Sequence, residues 1–374
     1  MAAIEHDLDP SPRLLLGPGP SMVPPRVLRA MATPLVGHLD PDFVAILIDI
    51  QILLRQVFQT RNRLTLAVSG TGTAAMEAAL VNLVEPGDPV LACVHGFFGD
   101  RLAEIARRQG AEVARLEAPW GRVFDVDEIS RALQARPARI VTLVHAETST
   151  GARQPDIGAV AEVCHRHDAL LVLDCVTSLG GLPVEVDVWG VDVAYGAAQK
   201  CLSAPPGLAP ITISPRAEEK MRARWSPVAS FYLDLSLLDK YWCEAPAYHH
   251  TASISLAYAL REALRLVNEE GLQARFERHQ RNAERLWHGL EALGLPLLVS
   301  PPLRLPSLST PVLPPGLDDA GLRQRLLRDY GIEIAGGFGP LAGKVWRIGL
   351  MGYSSRPENV VTLLGALREL LQTK

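Results

Sequence analysis

The chain has 374 residues, 48% of them hydrophobic and 21% charged, with a formal charge of −4. That is the make-up of a soluble globular protein with room for one large and one smaller domain, and it leaves no basic footprint for nucleic acid. The five cysteines are scattered without a CxxC pair, which suggests neither a disulfide framework nor a zinc site.

The N-terminal MAAIEHDLDPSPR carries acids where a secretory signal would carry bases, so a cytoplasmic location is expected. Residues 14–25, LLLGPGPSMVPP, are too rich in proline and glycine for a helix, and residues 1–24 read as an extended arm. Residues 43–58, FVAILIDIQILLRQVF, read as an apolar helix. It is shorter than the roughly 20 residues of a membrane span and carries Asp49 and Arg55, which favours a subunit interface. Strands are expected at 64–69, 89–94, at EVARLE, and at 139–145, 169–174 and 191–198. Helices are expected between them, at 74–84, 99–110, VDEISRALQARP and DIGAVAEVCHRHD. This alternation predicts an α/β fold over residues 25–270, a mostly parallel sheet with helices on both faces. From about residue 271 to 374 the pattern becomes long helix, proline-rich short strands, helix, strand (KVWRIGL) and last helix, a smaller α+β domain. There are no internal repeats.

The segment 191–210, VDVAYGAAQKCLSAPPGLAP, holds the first lysine of the chain. Five lysines stand against thirty-two arginines, and none precedes Lys200. Arginine keeps its proton and cannot act as a nucleophile, so a lysine here points to a need for a primary amine. Gln199 and Lys200 lie at the carboxyl end of a buried strand, where open α/β sheets place their ligands. A surface lysine is the plain alternative.

Ser69-Gly70-Thr71-Gly72-Thr73 lies between a strand and a helix, where free amides and the helix dipole favour an anion. The same residues spell GxGxxA, but the next strand, PVLACVHG, lacks the acid that a dinucleotide ribose needs. One phosphate group suits the turn better, with a plain strand–helix turn as the alternative. Asp174 ends the apolar strand ALLVLD, where a carboxylate is costly unless paired; a protonated pyridine nitrogen or a structural cation would serve. Phe98 follows another strand and could stack on a planar ring or belong to the core. Arg347, in VWRIGL, needs an anion, either a substrate carboxylate or an internal acid. His165, His167, His249 and His250 have no third ligand at metal spacing, so no metal site is expected.

Lysine, acid, phosphate turn and arginine together describe a pyridoxal 5'-phosphate site. The chain resembles the class V (fold type I) aminotransferases, and within them the alanine–glyoxylate and serine–pyruvate aminotransferases. The resemblance runs nearly end to end. It includes LLGPGPSMVPPRVL, VFQTRN, SGTGTAAMEAALVNLVEPGD, ETSTGARQP, LVLDCVTSLGGLPVEVD, AAQKCLSAPPGLA, YHHT and WRIGLMG. It implies Lys200 as the Schiff-base lysine and Asp174 as the partner of the pyridine nitrogen. It implies Thr71, Gly72, Thr73 and Gln199 on the phosphate, reached also by Tyr248 and Thr251 of a partner subunit in a homodimer with shared sites. Thr148 lies near the ring oxygen, Val176 packs on the ring face opposite the stacking aromatic, and Arg347 holds the substrate carboxylate. Phe98 takes the stacking position, where the best-known animal members have tryptophan. The C-terminal QTK does not match the peroxisomal tripeptide. The implied activity is transamination of a small amino acid, alanine or serine, with a 2-oxo acid such as glyoxylate. An aminophosphonate transaminase or lyase on the same fold, and more distantly a dinucleotide-dependent oxidoreductase, are the competing readings. A desulfurase would need a cysteine in a mobile loop near the substrate, but the last cysteine, Cys243, precedes the second domain.

Overall fold

The structure, a computed structural model, describes residues 8–372; the first seven residues of the expected arm and the end of the QTK tripeptide lie outside them. In chain order the first elements are β1 (Leu14–Leu15), α1 (Pro25–Met31), α2 (Pro41–Phe58), β2 (Leu64–Ser69), α3 (Gly72–Leu83), β3 (Pro89–Val94), α4 (Phe97–Arg108) and β4 (Glu112–Glu117). Next come α5 (Val126–Ala135), β5 (Ile140–Val144), β6 (Ala146–Glu147), β7 (Ala152–Arg153), α6 (Ile157–Arg166), β8 (Leu170–Asp174), α7 (Val186–Trp189), β9 (Val193–Tyr195) and β10 (Leu208–Ile213). The large sheet has seven strands in the order β2-β10-β9-β8-β5-β3-β4. Strands β9, β8, β5, β3 and β4 pair in parallel, and β10 runs antiparallel to both of its neighbours, β2 and β9. The sheet is therefore mostly parallel, as the alternation of strands and helices predicts. β10 is the addition: Pro210 argues against an inner strand, yet its carbonyl accepts a hydrogen bond from Gly196 at 2.8 Å.

The apolar helix α2 starts at Asp40, whose carboxylate accepts from the Asp42 amide at 2.8 Å, and at Pro41, whose ring suits a first turn. Phe43, Val44, Leu47, Ile50, Leu54, Val57 and Phe58 are buried within the chain, where α2 packs on β2 and on α10 (Ile254–Glu270). Most of the apolar character that suggested an interface is thus used inside one chain. Ile52 remains exposed on the outer face. Among the described residues no helix is long and apolar enough to cross a membrane.

Between the sheet and α10 lie α8 (Pro215–Arg222) and α9 (Leu235–Tyr241); α11 (Leu272–Ala292) follows α10. The C-terminal part contains β11 (Leu308–Ser309), α12 (Asp319–Tyr330), β12 (Ile332–Glu333), β13 (Ala335–Gly336), β14 (Trp346–Gly349) and α13 (Pro357–Gln372). One hydrophobic core runs from Val27 to Val267, and a second gathers Leu286, Leu326, Trp346, Ile348 and Leu363. Leu16 of the N-terminal arm packs in the second core, because β1 pairs in parallel with β12, Leu14 opposite Ile332. The arm then crosses back to the large sheet, where the Ser21 amide donates to the Gln199 carbonyl at 2.8 Å.

Candidate active site

The carboxyl ends of β8 and β9 lie side by side, and the start of α3 packs against the residues that follow them. Asp174 ends β8 and is buried. Its carboxylate accepts from the Val176 amide at 2.8 Å and from the Tyr195 hydroxyl at 2.9 Å. Burial outweighs both bonds and pushes its pKa up to about 7. Two donors do not replace the lost water, so the site favours a positive charge beside this acid.

Lys200 follows β9 in a turn that the N-terminal arm clamps. Ser21 donates its hydroxyl to the Lys200 carbonyl at 2.8 Å, and the Lys200 amine donates to the Pro18 carbonyl. Gly19 has φ +117°, a conformation that favours glycine, and a Cβ there would crowd the end of the Lys200 side chain. Burial lowers the Lys200 pKa to about 8, with a further contribution from the charge of Arg347. The amine is therefore neutral for part of the time near neutral pH, as a base or nucleophile must be.

The turn Ser69–Thr73 enters α3 with Gly70 at φ +141° and its amide bonded to the Gly207 carbonyl at 2.8 Å. Thr71 caps α3 in an extended conformation without a side-chain cap bond, which leaves the first amides of the helix for an outside acceptor. A Cβ on Gly72 would meet Val176 Cγ2 at 3.0 Å and Ala197 at 3.1 Å, which brings the phosphate turn against the proposed ring-packing valine. The Thr73 hydroxyl accepts from Arg101 at 3.0 Å. Gln199 Oε1 is buried with no hydrogen-bond partner, a cost that a donor on a ligand would remove. Thr148 shares a hydrogen bond with Thr177. The Phe98 ring is half-buried at the start of α4, with its amide 3.3 Å from the Glu147 carboxylate.

Arg347 lies in β14 and is 4% exposed, yet no carboxylate pairs with it among the described residues. Its Nε donates to the Gly336 carbonyl at 2.8 Å, and its guanidinium lies on the Phe338 ring. Burial lowers its pKa to about 10. The buried Glu147 carboxylate acts on it electrostatically, but no carboxylate lies within ion-pair distance of the guanidinium among the described residues, so the fork has room for an external anion. Tyr248 and Thr251 stand apart from this cluster. Both are exposed, Tyr248 at 65%, with its ring beside His38, while the neighbouring His250 reaches Ser69 at 3.2 Å.

The donor set suits pyridoxal phosphate: amides at a helix start for the phosphate, an acid for a ring nitrogen, and an amine nearby. Sequence reasoning missed Tyr195, Glu147, Ser21 and Phe338. Tyr195 and Glu147 sit inside quoted motifs, but their roles arise from strand adjacency, which no local pattern displays. Of the histidines without metal spacing, His165 pairs with Asp192 at 3.0 Å.

A family profile described as aminotransferase class-V matches residues 13–356. A crystal structure of alanine–glyoxylate aminotransferase from Nostoc sp. is 53% identical, with a TM-score of 0.97, covering 99% of this chain and 98% of that one. The (S)-ureidoglycine–glyoxylate transaminase of Bacillus subtilis (strain 168) is 45% identical over 96% of this chain and 90% of its own length. The alanine–glyoxylate aminotransferase of Oryctolagus cuniculus is 43% identical over 96% and 93%. With the mostly parallel sheet in place and with likeness across almost the whole length, this chain belongs to the class V aminotransferases.

Proposed function

We propose that the chain is a pyridoxal-phosphate-dependent transaminase that exchanges the amino group of a small amino acid, alanine or serine, with glyoxylate. The observation that carries this reading is the buried Arg347, which has no carboxylate at ion-pair distance among the described residues and whose charge acts on Lys200. A guanidinium fork matches one carboxylate, the group common to 2-amino and 2-oxo acids. Glyoxylate is favoured as acceptor because relatives named for different donors, alanine and ureidoglycine, share it.

Thr71, Gly72, Thr73 and Gln199 would hold the phosphate, Val176 and Phe98 the two ring faces, and Thr148 the ring oxygen. When bound, the cofactor supplies an electron sink for negative charge at the substrate Cα. Asp174 would keep a proton on the ring nitrogen, its own need for a cation met by the same contact. Lys200 Nζ would take the Cα proton, a role that its lowered pKa suits. Arg347 would fix the carboxylate and so orient the Cα–H bond.

The assembly in this reading is a homodimer. The exposure of Tyr248 and Thr251, apart from the other site residues of their own chain, supports their reaching the partner subunit's phosphate. A division into arm 1–24, large domain 25–270 and small domain 271–374 is supported by the two hydrophobic cores. Five unpaired cysteines fit a reducing, cytoplasmic setting.

The test is a panel of amino donors (alanine, serine, ureidoglycine and an aminophosphonate) against glyoxylate and pyruvate, with the purified holoenzyme. Fast transfer from alanine or serine to glyoxylate is expected. Transfer only from the aminophosphonate, or nicotinamide binding without amino transfer, would overturn the reading.

A further inference from the structure

Phe338 is a residue of the C-terminal part that stacks on Arg347 and reaches Phe97 of the large domain. It follows β13 in the turn Gly336-Gly337-Phe338-Gly339-Pro340. A Cβ on Gly337 would collide with the Leu341 carbonyl, and one on Gly339 (φ +46°) would meet the Trp120 ring at 3.2 Å. The turn is thus tight within itself and rests on Trp120, which places the ring it carries. The Phe338 centroid stands 3.7 Å from the guanidinium carbon of Arg347 and 5.0 Å from the centroid of Phe97, with a tilt of 44°. Phe97 meets Phe98 edge-on at 5.5 Å, and Arg101 lies 5.0 Å over each of these two rings. A continuous row of cation and rings therefore joins Arg347 to Phe98.

Stacking on one face and bonding at Nε leave only the outer edge of the guanidinium, with no internal acceptor for its terminal nitrogens among the described residues. We propose that Phe338 is a positioning and specificity residue: it fixes the plane of the Arg347 fork and, through Phe97, its distance from Phe98, so that the site grips compact 2-amino and 2-oxo monocarboxylates. Phe338 covers one face of the fork, and Phe97 and Phe98 continue the row of rings from it. The buried Glu147 acts electrostatically on both Asp174 and Arg347 and would repel a second carboxylate. This inference rests on the transaminase reading above.

The test uses holoenzyme with Phe338→Leu, Phe338→Tyr, Arg347→Lys and the Phe338→Leu/Arg347→Lys double variant. Removing a desolvated cation–π partner should raise KM for alanine and for glyoxylate roughly tenfold. The kcat should stay within about twofold and the cofactor absorbance unchanged, because uniform carboxylate binding is what is lost. Phe338→Tyr should restore KM. The double variant should be no worse than Arg347→Lys, since Phe338 acts through that arginine. Independently of activity, labelling of Arg347 by phenylglyoxal, followed by peptide mass, should accelerate in Phe338→Leu. Unchanged KM, or a fully additive loss in the double variant, would overturn the proposal, as would an unchanged labelling rate. If the unaltered enzyme transfers no amino group, the functional reading fails, while the labelling still decides whether Phe338 holds Arg347.

Discussion

The same burial acts on Asp174 and Lys200 and pushes both toward neutrality. An unfolded Asp174 releases its proton near 3.8 and the folded one near 7. Below both values there is no penalty; as pH rises between them the folded state loses stability, and the loss is complete above the folded value. In cofactor-stripped protein, Asp174→Asn should therefore raise stability at about pH 8 by on the order of 2–4 kcal/mol and change little near pH 3. Thermal midpoints at the two values check this; equal effects at both would mean that the acid is not held at a cost. The same variant should lose most of its transamination. For Lys200 the folded pKa lies below the unfolded one, so the amine becomes reactive at lower pH than a surface lysine. Labelling of stripped protein with an amine reagent should show a midpoint near 8 at Lys200, while a midpoint in the ordinary lysine range would remove it as a base. Lys200→Ala should still bind cofactor and lose turnover by orders of magnitude. Lys200 was legible in sequence because the chain otherwise writes its basic charge almost entirely as arginine. Tyr195, the hydroxyl that steadies Asp174, was not, because its contact exists only once β9 lies beside β8.

At the scale of elements, the phosphate turn depends on a backbone shape that few residues adopt. Gly70 has φ +141°, and a Cβ there would stand 2.5 Å from the Ala74 Cβ. Gly70→Ala should cost about 1–3 kcal/mol in backbone strain alone and should weaken cofactor retention, because the turn cannot relax without moving the first amides of α3. Dialysis of the variant against phosphate, with absorbance followed over time, reads the retention; a variant as stable and as well loaded as the parent would show the turn to be an ordinary strand–helix connection. The turn was readable because a glycine–threonine run between strand and helix has few other uses. Helix α2 was harder. Its apolar residues announce burial, but periodicity does not say against what, and β2 and α10 are the partners that take up its inner face.

At the scale of the whole molecule, the shared site can be tested by mixing. One chain carries Lys200→Ala and the other Tyr248→Phe with Thr251→Ala. In a shared-site homodimer, each mixed dimer has one site with both lesions and one with none, because intact Lys200 faces the intact Tyr248 and Thr251. Co-refolding the two weakened proteins should then restore up to half the normal site count within mixed dimers. If each chain builds its own site, mixing creates no intact site and activity stays at the average of the parents. Tagging the two chains differently and isolating the mixed species makes either result decisive.

By itself the sequence determined the α/β alternation, the lysine beyond a strand end, the glycine-bearing strand–helix turn and the family, because hydrophobic periodicity and turn chemistry act over a few residues. Tertiary structure alone decided that β10 enters the sheet antiparallel between β2 and β9 despite Pro210. It also decided that Leu14 pairs with Ile332, so that the N-terminal arm joins the second core and clamps Lys200 on its way back. Which strand lies beside which depends on the total apolar surface that a given arrangement buries, summed over distant parts of the chain. That sum is not written in any single segment. The row from Arg347 through Phe338 to Phe98 is of the same kind: each ring is an ordinary apolar residue in its own segment, and only the approach of the two parts of the chain aligns them.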